Sequence, residues 1–362
     1  MQGDGQASSY AQVWDFENLL KAHQKAMRGK RSRPDVARFE YDREWHLLRL
    51  RDELASERYR PSPYRRFHIA DPKPRHISAA PFRDRVVHHA LCNIIESIFE
   101  RRFIRDSYAS RPGKGIHDAL DRCSTFARRY PFVLRCDIVQ FFPAIDLTIL
   151  HRILAREIQD RAILRLCDLI ITNGSFELAE QYQLTLYPGD TPSAAAIRPR
   201  GLPIGNQTSQ FWANCYLDRL DHFIKDDLGC KGYVRYVDDF TLFSASKTQL
   251  HQWGKAIRTW LATHLRLSIH GTTSDVFPVG TGIPYLGFRV YPTHRRLRRR
   301  CGVAFARRLR GMAAAYARRE IDFAHVSQRI QGWVAHASHG NTYRLRASLL
   351  EHVTFHHPVE QL

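Results

Sequence analysis

The chain predicts an α+β fold, a small antiparallel sheet backed by helices, on three observations. Several stretches repeat apolar residues at the 3.6-residue spacing of amphipathic helices, most clearly at about 84–102, 115–128, 147–172, 206–226 and 247–264. Short runs rich in β-branched and aromatic residues lie between them, at 132–138 and 232–244. The second run is broken at its middle by Asp238-Asp239, so it reads as two strands joined by a tight turn.

Taken in order, residues from about 14 to 58 carry helical periodicity with dense charge, interrupted at Gly29-Lys30-Arg31-Ser32-Arg33-Pro34. The basic run from Arg28 to Arg33 suits a solvated loop or contact with phosphate. Pro61, Pro63, Pro72 and Pro74 punctuate short extended pieces before the first two strongly periodic helices and the strand at 132–138. Residues 174–200 read as loop, with strand-prone residues at 184–187. The helix at 206–226 ends on a second acidic pair, Asp226-Asp227, which sits beside Lys225 as a solvated helix end. After the helix at 247–264, strands are expected at 265–269 and 284–290. The tail from 295 is Arg-rich and mostly helical, with clusters Arg295-Arg296-Leu297-Arg298-Arg299-Arg300 and Phe305-Ala306-Arg307-Arg308-Leu309-Arg310.

Composition narrows the function. A chain of 362 residues with 44% hydrophobic residues has a sizeable core and room for two or three domains or one multi-lobed enzyme. Lys and Arg number 55 against 36 Asp and Glu, a net +19 whose natural partner is a polyanion, nucleic acid first. No apolar run approaches the ~18 residues of a membrane span, and the first ten residues do not read as a signal peptide. The seven cysteines, with no C-x-x-C spacing, argue against a zinc site or a disulfide framework and for a reducing cytoplasm. They read as small buried residues.

The chemistry starts at Tyr236-Val237-Asp238-Asp239. Two adjacent carboxylates on an apolar hairpin repel each other and lose solvation, and a divalent cation compensates both costs. Asp137 ends the strand at 132–138; alone it would be a helix cap or loop acid. Set beside the hairpin pair about a hundred residues on, it becomes the third carboxylate of a cage. Phosphoryl transfer uses two divalent ions ~3.5–4 Å apart, and Mg²⁺ prefers such hard oxygen ligands.

These motifs stand in the order of a reverse transcriptase. Asp137-Ile138-Val139-Gln140-Phe141-Phe142 resembles that family's first palm motif and Tyr236-Val237-Asp238-Asp239 its third. Gly201-Leu202-Pro203-Ile204-Gly205-Asn206-Gln207-Thr208-Ser209-Gln210 resembles the second, and Tyr285-Leu286-Gly287-Phe288 the primer grip. Upstream, Lys73-Pro74-Arg75-His76-Ile77 with Arg83-Asp84-Arg85 resembles the fingers motif, and Ser107 through Gly115 the segment before the palm. The resemblance covers roughly 60–290. It implies a right-hand polymerase fold. Residues 1–130 would form an N-terminal helical extension and fingers, 131–150 and 201–293 the two parts of an antiparallel-sheet palm, 151–200 an insertion, and 294–362 a helical thumb.

The resemblance also assigns roles. Asp137, Asp238 and the Ile138 carbonyl would hold two Mg²⁺ ions, with Mn²⁺ able to substitute, and Asp239 would be the auxiliary acid. Phe142 would exclude a 2′-hydroxyl. Lys73 and Arg75 would grip the triphosphate, Arg111 would contact template or nucleotide, and Gly205 would let backbone approach the nucleotide. Tyr285, Leu286 and Gly287 would brace the primer end. Template RNA, the cDNA–primer duplex and deoxynucleotides are the implied partners, with no membrane. At Thr273, in a run from Leu267 to Ser274, the family usually has a Lys that donates a proton to pyrophosphate; His270 or water is then left to serve.

Ile204 replaces a usual Gln and Gln210 a usual Pro, a pairing similar to the reverse transcriptases of diversity-generating retroelements. The tail segments Gly332-Trp333-Val334-Ala335-His336-Ala337 and Thr342-Tyr343-Arg344-Leu345-Arg346 share that likeness. That subfamily copies a template-repeat RNA into cDNA with frequent errors at adenines, works with a small basic, oligomeric accessory variability protein, and is cytoplasmic in bacteria or phage-encoded. Within the class, the rival is a retron-like, intron-like or defence-associated relative. From another class, the rival is a non-catalytic RNA-binding scaffold, which the three intact aspartates argue against.

Overall fold

The computed structural model describes residues 9–69, 75–175, 177–271 and 275–357. Four N-terminal helices come first: α1 (Ser9–Trp14), α2 (Phe16–Met27), α3 (Pro34–Tyr41) and α4 (Arg43–Ala55). The Asp15 carboxylate accepts from the Asn18 amide and caps α2, and Pro34 opens α3, where its missing N–H costs nothing. An antiparallel pair follows, β1 (Arg65–Ile69) and β2 (Arg75–Ala79), then α5 (Phe82–Glu100) and α6 (Ile116–Arg129). Helix α5 is buried along most of its length, between α2 on one side and the later helix 207–222 on the other.

The central sheet begins with β3 (Phe132–Asp137). After α7 (Phe141–Ala144), α8 (Leu147–Glu157), α9 (Arg161–Asn173), α10 (Pro192–Ile197) and α11 (Gln207–His222), a π turn at Phe223–Asp227 leads into the hairpin β4 (Gly232–Tyr236) and β5 (Asp239–Ser244). Helix α12 (Lys247–His264) and β6 (Val276–Pro278) complete this unit. Its strand order is β4-β5-β3-β6, antiparallel throughout. A second sheet, β7 (Ile283–Tyr285), β8 (Phe288–Val290) and β9 (Arg295–Leu297), precedes α13 (Arg299–Ala317), α14 (Phe323–Ala337) and α15 (Tyr343–Glu351). The Phe305 and Trp333 rings stack at 3.8 Å, locking α13 onto α14.

Period-2 alternation divides the central sheet into two faces. Leu134, Cys136, Tyr233, Phe240 and Leu242 join the large core, which runs continuously from Val13 through α5, α8, α9 and α11 to Ile269. Val133, Val234 and Phe243 point the other way, onto α6 and the β7–β8 hairpin. The N-terminal helices thus share one core with the palm-like sheet rather than forming a separate layer. Among the described residues no helix is long and apolar enough to cross a membrane. All seven cysteines are free and six are buried, as expected.

Several elements depart from the sequence expectation. The helix at 147–172 is two helices, because Asp160 accepts from the amides of Ala162 and Ile163 and starts α9 afresh. Within the expected loop at 174–200, 184–187 forms no strand, but a short helix, α10, forms at Pro192–Ile197. At 265–269 the chain makes only an isolated bridge, Ile138 to Ile269, since Arg266 takes φ +50° and breaks the extended run; the edge strand lies later, at β6. The Arg-rich tail opens with strand β9, not helix. Lys73 and Thr273 lie outside the described residues.

Candidate active site

The Asp-Asp hairpin turns through Val237 and Asp238, with Tyr236 paired to Asp239. Val237 has φ +56°, a region that a β-branched residue rarely adopts. A buried arginine holds it there. Arg235 Nη1 donates to the Val237 carbonyl at 3.1 Å and to Asn214 Oδ1 at 3.2 Å. Its Nε and Nη2 donate to the two Asp221 oxygens at 2.7 and 2.6 Å, and the Tyr233 hydroxyl adds a bond to Asp221. Burial works against the guanidinium charge, but Asp221 overrides it and keeps Arg235 protonated above its ordinary range. On the outer edge of β4, the Arg235 backbone pairs with Asp106 and Tyr108, so the loop before α6 also fixes the hairpin.

On the opposite face, the antiparallel register sets Asp137 directly across from Asp239. Arg135, two residues before Asp137 and therefore on its face, donates to both Asp239 oxygens at 3.2 and 3.0 Å. Burial pushes the Asp239 carboxyl up to about 6; Arg135 opposes this, and the charges of Asp137 and Asp238 add to it. The Asp137 carbonyl accepts from the His270 amide at 3.0 Å and the Val139 amide donates to Ser268, which ties the strand end to the 268–270 segment.

This donor set suits a divalent cation: it is all oxygen, and burial, helped by the charges of its neighbours, already lifts a carboxyl toward neutrality. Among the described residues no trio of His, Cys, Asp or Glu is drawn together as a finished ion cage, and Asp239 is turned onto Arg135. The oxygens that could hold it are those of Asp137, Asp238 and the Ile138 carbonyl, with Asp239 beside them.

A second group gathers next to the acids. Gln140 takes φ +46° and turns the chain into α7, whose Phe142 is half-buried with its ring edge-on to Phe141. The Phe142 carbonyl accepts from the Leu202 amide at 3.0 Å, and Ser78 of β2 donates to the Ile204 carbonyl at 3.2 Å. Asn206 accepts from Ala80 and donates to the carbonyls of Ser78 and Pro203. These stitches bring Phe142, Ile204 and Gly205 together with β2, the strand that carries Arg75. Gly205 has φ +112°, and a Cβ there would sit 2.9 Å from Ile77 Cγ2, so β2 itself requires the glycine. Gln210 is exposed on the first turn of α11 and accepts from Ser110 at 2.9 Å.

Two expectations need correction. Arg111 does not face a groove: it grips Glu100 with Nε and Nη2, donates to Ile104 and Ser107, and lies over the Phe103 ring. This donor capacity goes to bracing the loop before α6, which leaves little for a nucleotide. Tyr285 is buried with no partner for its hydroxyl, leaving Leu286 and Gly287, both at positive φ in the turn between β7 and β8, to reach the surface. Sequence reasoning also missed Arg135 and Arg235. For Arg135 a signal existed, since spacing of two places it on the face of Asp137. For Arg235 the signal was a lone charge inside an apolar strand, which demands a buried partner.

Residues 70–290 match the family model described as reverse transcriptase (RNA-dependent DNA polymerase), more than half of the chain. The chain is similar to Protein YkfC of Escherichia coli (strain K12), 26% identical over an alignment of 271 residues that covers 67% of this chain and 70% of that protein. It is similar to the group II intron-encoded protein LtrA of Lactococcus lactis, 28% identical over 181 residues, 49% of this chain but only 28% of that protein. A solved apo telomerase from Candida tropicalis aligns with a TM-score of 0.48 and 10% identity, covering 70% of this chain and 60% of that one.

Proposed function

The chain belongs to the reverse transcriptase (RNA-dependent DNA polymerase) family, and from that premise we propose that it extends a DNA primer along an RNA template at the mouth of the β3–β5 ladder. The observation that carries this reading is the pairing of Asp137 with Asp239, with Asp238 on the adjoining turn. Divalent ions, Mg²⁺ or Mn²⁺, would be held by Asp137, Asp238 and the Ile138 carbonyl, and would neutralise the charge of the attacking and leaving oxygens. The rest falls to the protein. Arg135 keeps Asp239 oriented beside that site. Phe142, half-buried on α7, would supply the bulky ring that clashes with a ribose 2′-hydroxyl. Lys73 and Arg75 of the fingers motif would bind the triphosphate. The net charge of +19 suits the phosphates of a template–primer duplex, and the Arg-rich helices α13–α15 suit a thumb that tracks them. The unpaired cysteines suit a reducing cytoplasm.

Within this family we favour the diversity-generating type, with error-prone copying at template adenines and a small basic, oligomeric accessory protein as partner. Ile204 supports it. Its half-buried side chain lies in the segment bonded to Phe142, where a Gln would offer hydrogen bonds that penalise a misaligned pair and an Ile offers none. An intron-type enzyme is the second reading, favoured by the similarity to the intron-encoded LtrA. The test is primer extension with Mg²⁺ on the cognate RNA, with and without the accessory protein, the cDNA being sequenced. Wild-type protein should yield cDNA with errors at template adenines, and Ile204→Gln should reduce them. Faithful cDNA favours the intron reading. Absence of cDNA, or cDNA made equally by Asp238→Asn, would sink the polymerase reading altogether.

A further inference from the structure

The β1–β2 hairpin borders the segment that carries Ile204 and Gly205, yet little holds it there. A two-stranded hairpin is marginal on its own, and β1 is exposed at all five of its positions. The end of β2 is sewn down: Ser78 donates to Ile204 and accepts from Asn206, and Ala80 donates to Asn206. Among the described residues, the polar contacts that reach β1 from outside the hairpin come through side chains. Arg65 stands 4.0 Å from Asp35, and Arg66 meets Glu177.

The second contact is the better built. Arg66 Nε donates to Glu177 Oε2 and Nη2 to Oε1, each at 2.9 Å, a fork-on-fork pair that fixes direction as well as charge. Arg66 is open to solvent, but the Glu177 side chain is only 13% exposed. The Arg66 guanidinium, helped by the Ser78 hydroxyl, holds the Glu177 carboxyl below its usual range against the opposing effect of burial. One carboxylate thus ties both strands. The chain just before it is itself wedged in place. At the end of α9, Asn173 Nδ2 donates to the Ser62 carbonyl at 3.0 Å, on the approach to β1. Gly174 lies so close to Pro203 that a Cβ would come within 2.5 Å of its ring. Glu177 belongs to the run that reads from sequence as loop, outside every motif.

We propose that Glu177 is a positioning residue for the incoming nucleotide: it clamps the β1–β2 hairpin against the Ile204–Gly205 segment and so sets how tightly a deoxynucleoside triphosphate binds. This rests on the polymerase reading above. Glu177 acts through Arg66 and through β2, the strand that carries Arg75 and lays Ile77 against Gly205. A hairpin held in place only part of the time lowers the apparent affinity by that fraction. Once a nucleotide is seated, the step at the acids is unchanged. An exposed ion pair adds little to stability, so the clamp tells on affinity and hardly on melting.

The experiment is single-turnover primer extension by the full chain over a range of deoxynucleotide concentration, which separates the apparent Kd from the maximal rate. Glu177→Ala and Arg66→Ala should each raise the apparent Kd about 3- to 10-fold, between the worth of an exposed ion pair and that of a charge-assisted bond. The maximal rate should stay within about twofold of wild type. The double variant should be no worse than either single one, because both remove the same contact. An unchanged Kd, a slower rate at wild-type Kd, or additive losses would overturn the proposal. Hydrogen exchange reads the clamp without any catalysis: amides of β1 and β2 should exchange about threefold or more faster in Glu177→Ala, with those of α11 unchanged. Equal exchange in the hairpin would also overturn it. A wild type that makes no DNA defeats the polymerase reading by itself, and exchange then still decides whether Glu177 holds the hairpin.

Discussion

Removing the Arg235 guanidinium separates its two roles, fold support and turn geometry. The side chain is 1% exposed and Asp221 is fully buried. Arg235→Met therefore strands a carboxylate in the core with little more than the Tyr233 hydroxyl, and breaking a buried pair from one side costs about 3–5 kcal/mol. That is a large part of the roughly 5–15 kcal/mol that holds a typical domain together. Replacing both partners, Arg235→Met with Asp221→Leu, removes the stranded charge and should recover most of the loss. The bond to the Val237 carbonyl stays lost. A charge-assisted bond is worth about 1.5–3 kcal/mol, so if it keeps the strained turn populated, the double variant should extend primers about 10- to 150-fold more slowly while melting near the wild type. Adding Val237→Gly, which takes φ +56° without strain, should restore part of that rate. Urea melts and single-turnover extension measure the two quantities. A double variant that is both stable and fully active would refute the idea that Arg235 sets the turn.

Other outcomes follow from the same geometry. Asp239 holds its proton up to about pH 6 in the folded chain, against ~3.9 when unfolded, so the native state binds more protons across that window and stability falls as pH rises through it. In EDTA the melting temperature should therefore drop between those pH values more steeply for wild type than for Asp239→Asn, and Mg²⁺ should stabilise wild type more at neutral pH than at pH 5; equal slopes would contradict the assignment. Phe142→Val should narrow the preference for deoxynucleotides over ribonucleotides by about 10- to 100-fold, read from paired incorporation rates, and an unchanged ratio would exclude a steric gate. Gly205→Ala should cost about 1–3 kcal/mol in chemical denaturation through strain at φ +112° and collision with Ile77, and Ile77→Ala should relieve only the collision.

What the sequence made legible was what local pattern controls. Helix α12 falls at the expected residues, since apolar spacing and the Ser246 cap agree. The hairpin and the pairing of Asp137 with it were legible because strand alternation and a turn leave few alternatives. The misses share one cause: long-range partners. A lone Arg such as Arg111 or Arg235 reads alike whether it meets solvent, phosphate or a buried acid, and Glu100 and Asp221 are invisible as partners until the fold brings them close. The 265–269 run was apolar enough for a strand, but Arg266 at φ +50° interrupts its extended backbone and leaves only the Ile138–Ile269 bridge beside β3.

The order β4-β5-β3-β6 has a consequence for how the chain is made. Strand β3 leaves the ribosome about a hundred residues before β5, so at roughly 5–20 residues per second both of its edges wait several seconds for partners. During that interval the nascent chain holds α1–α6, whose shared core with the later helices is unfinished. The sheet that carries the acids is thus among the last things to assemble. Stalling synthesis between β3 and β5 should leave an exposed, self-associating edge, and chaperone demand should peak there.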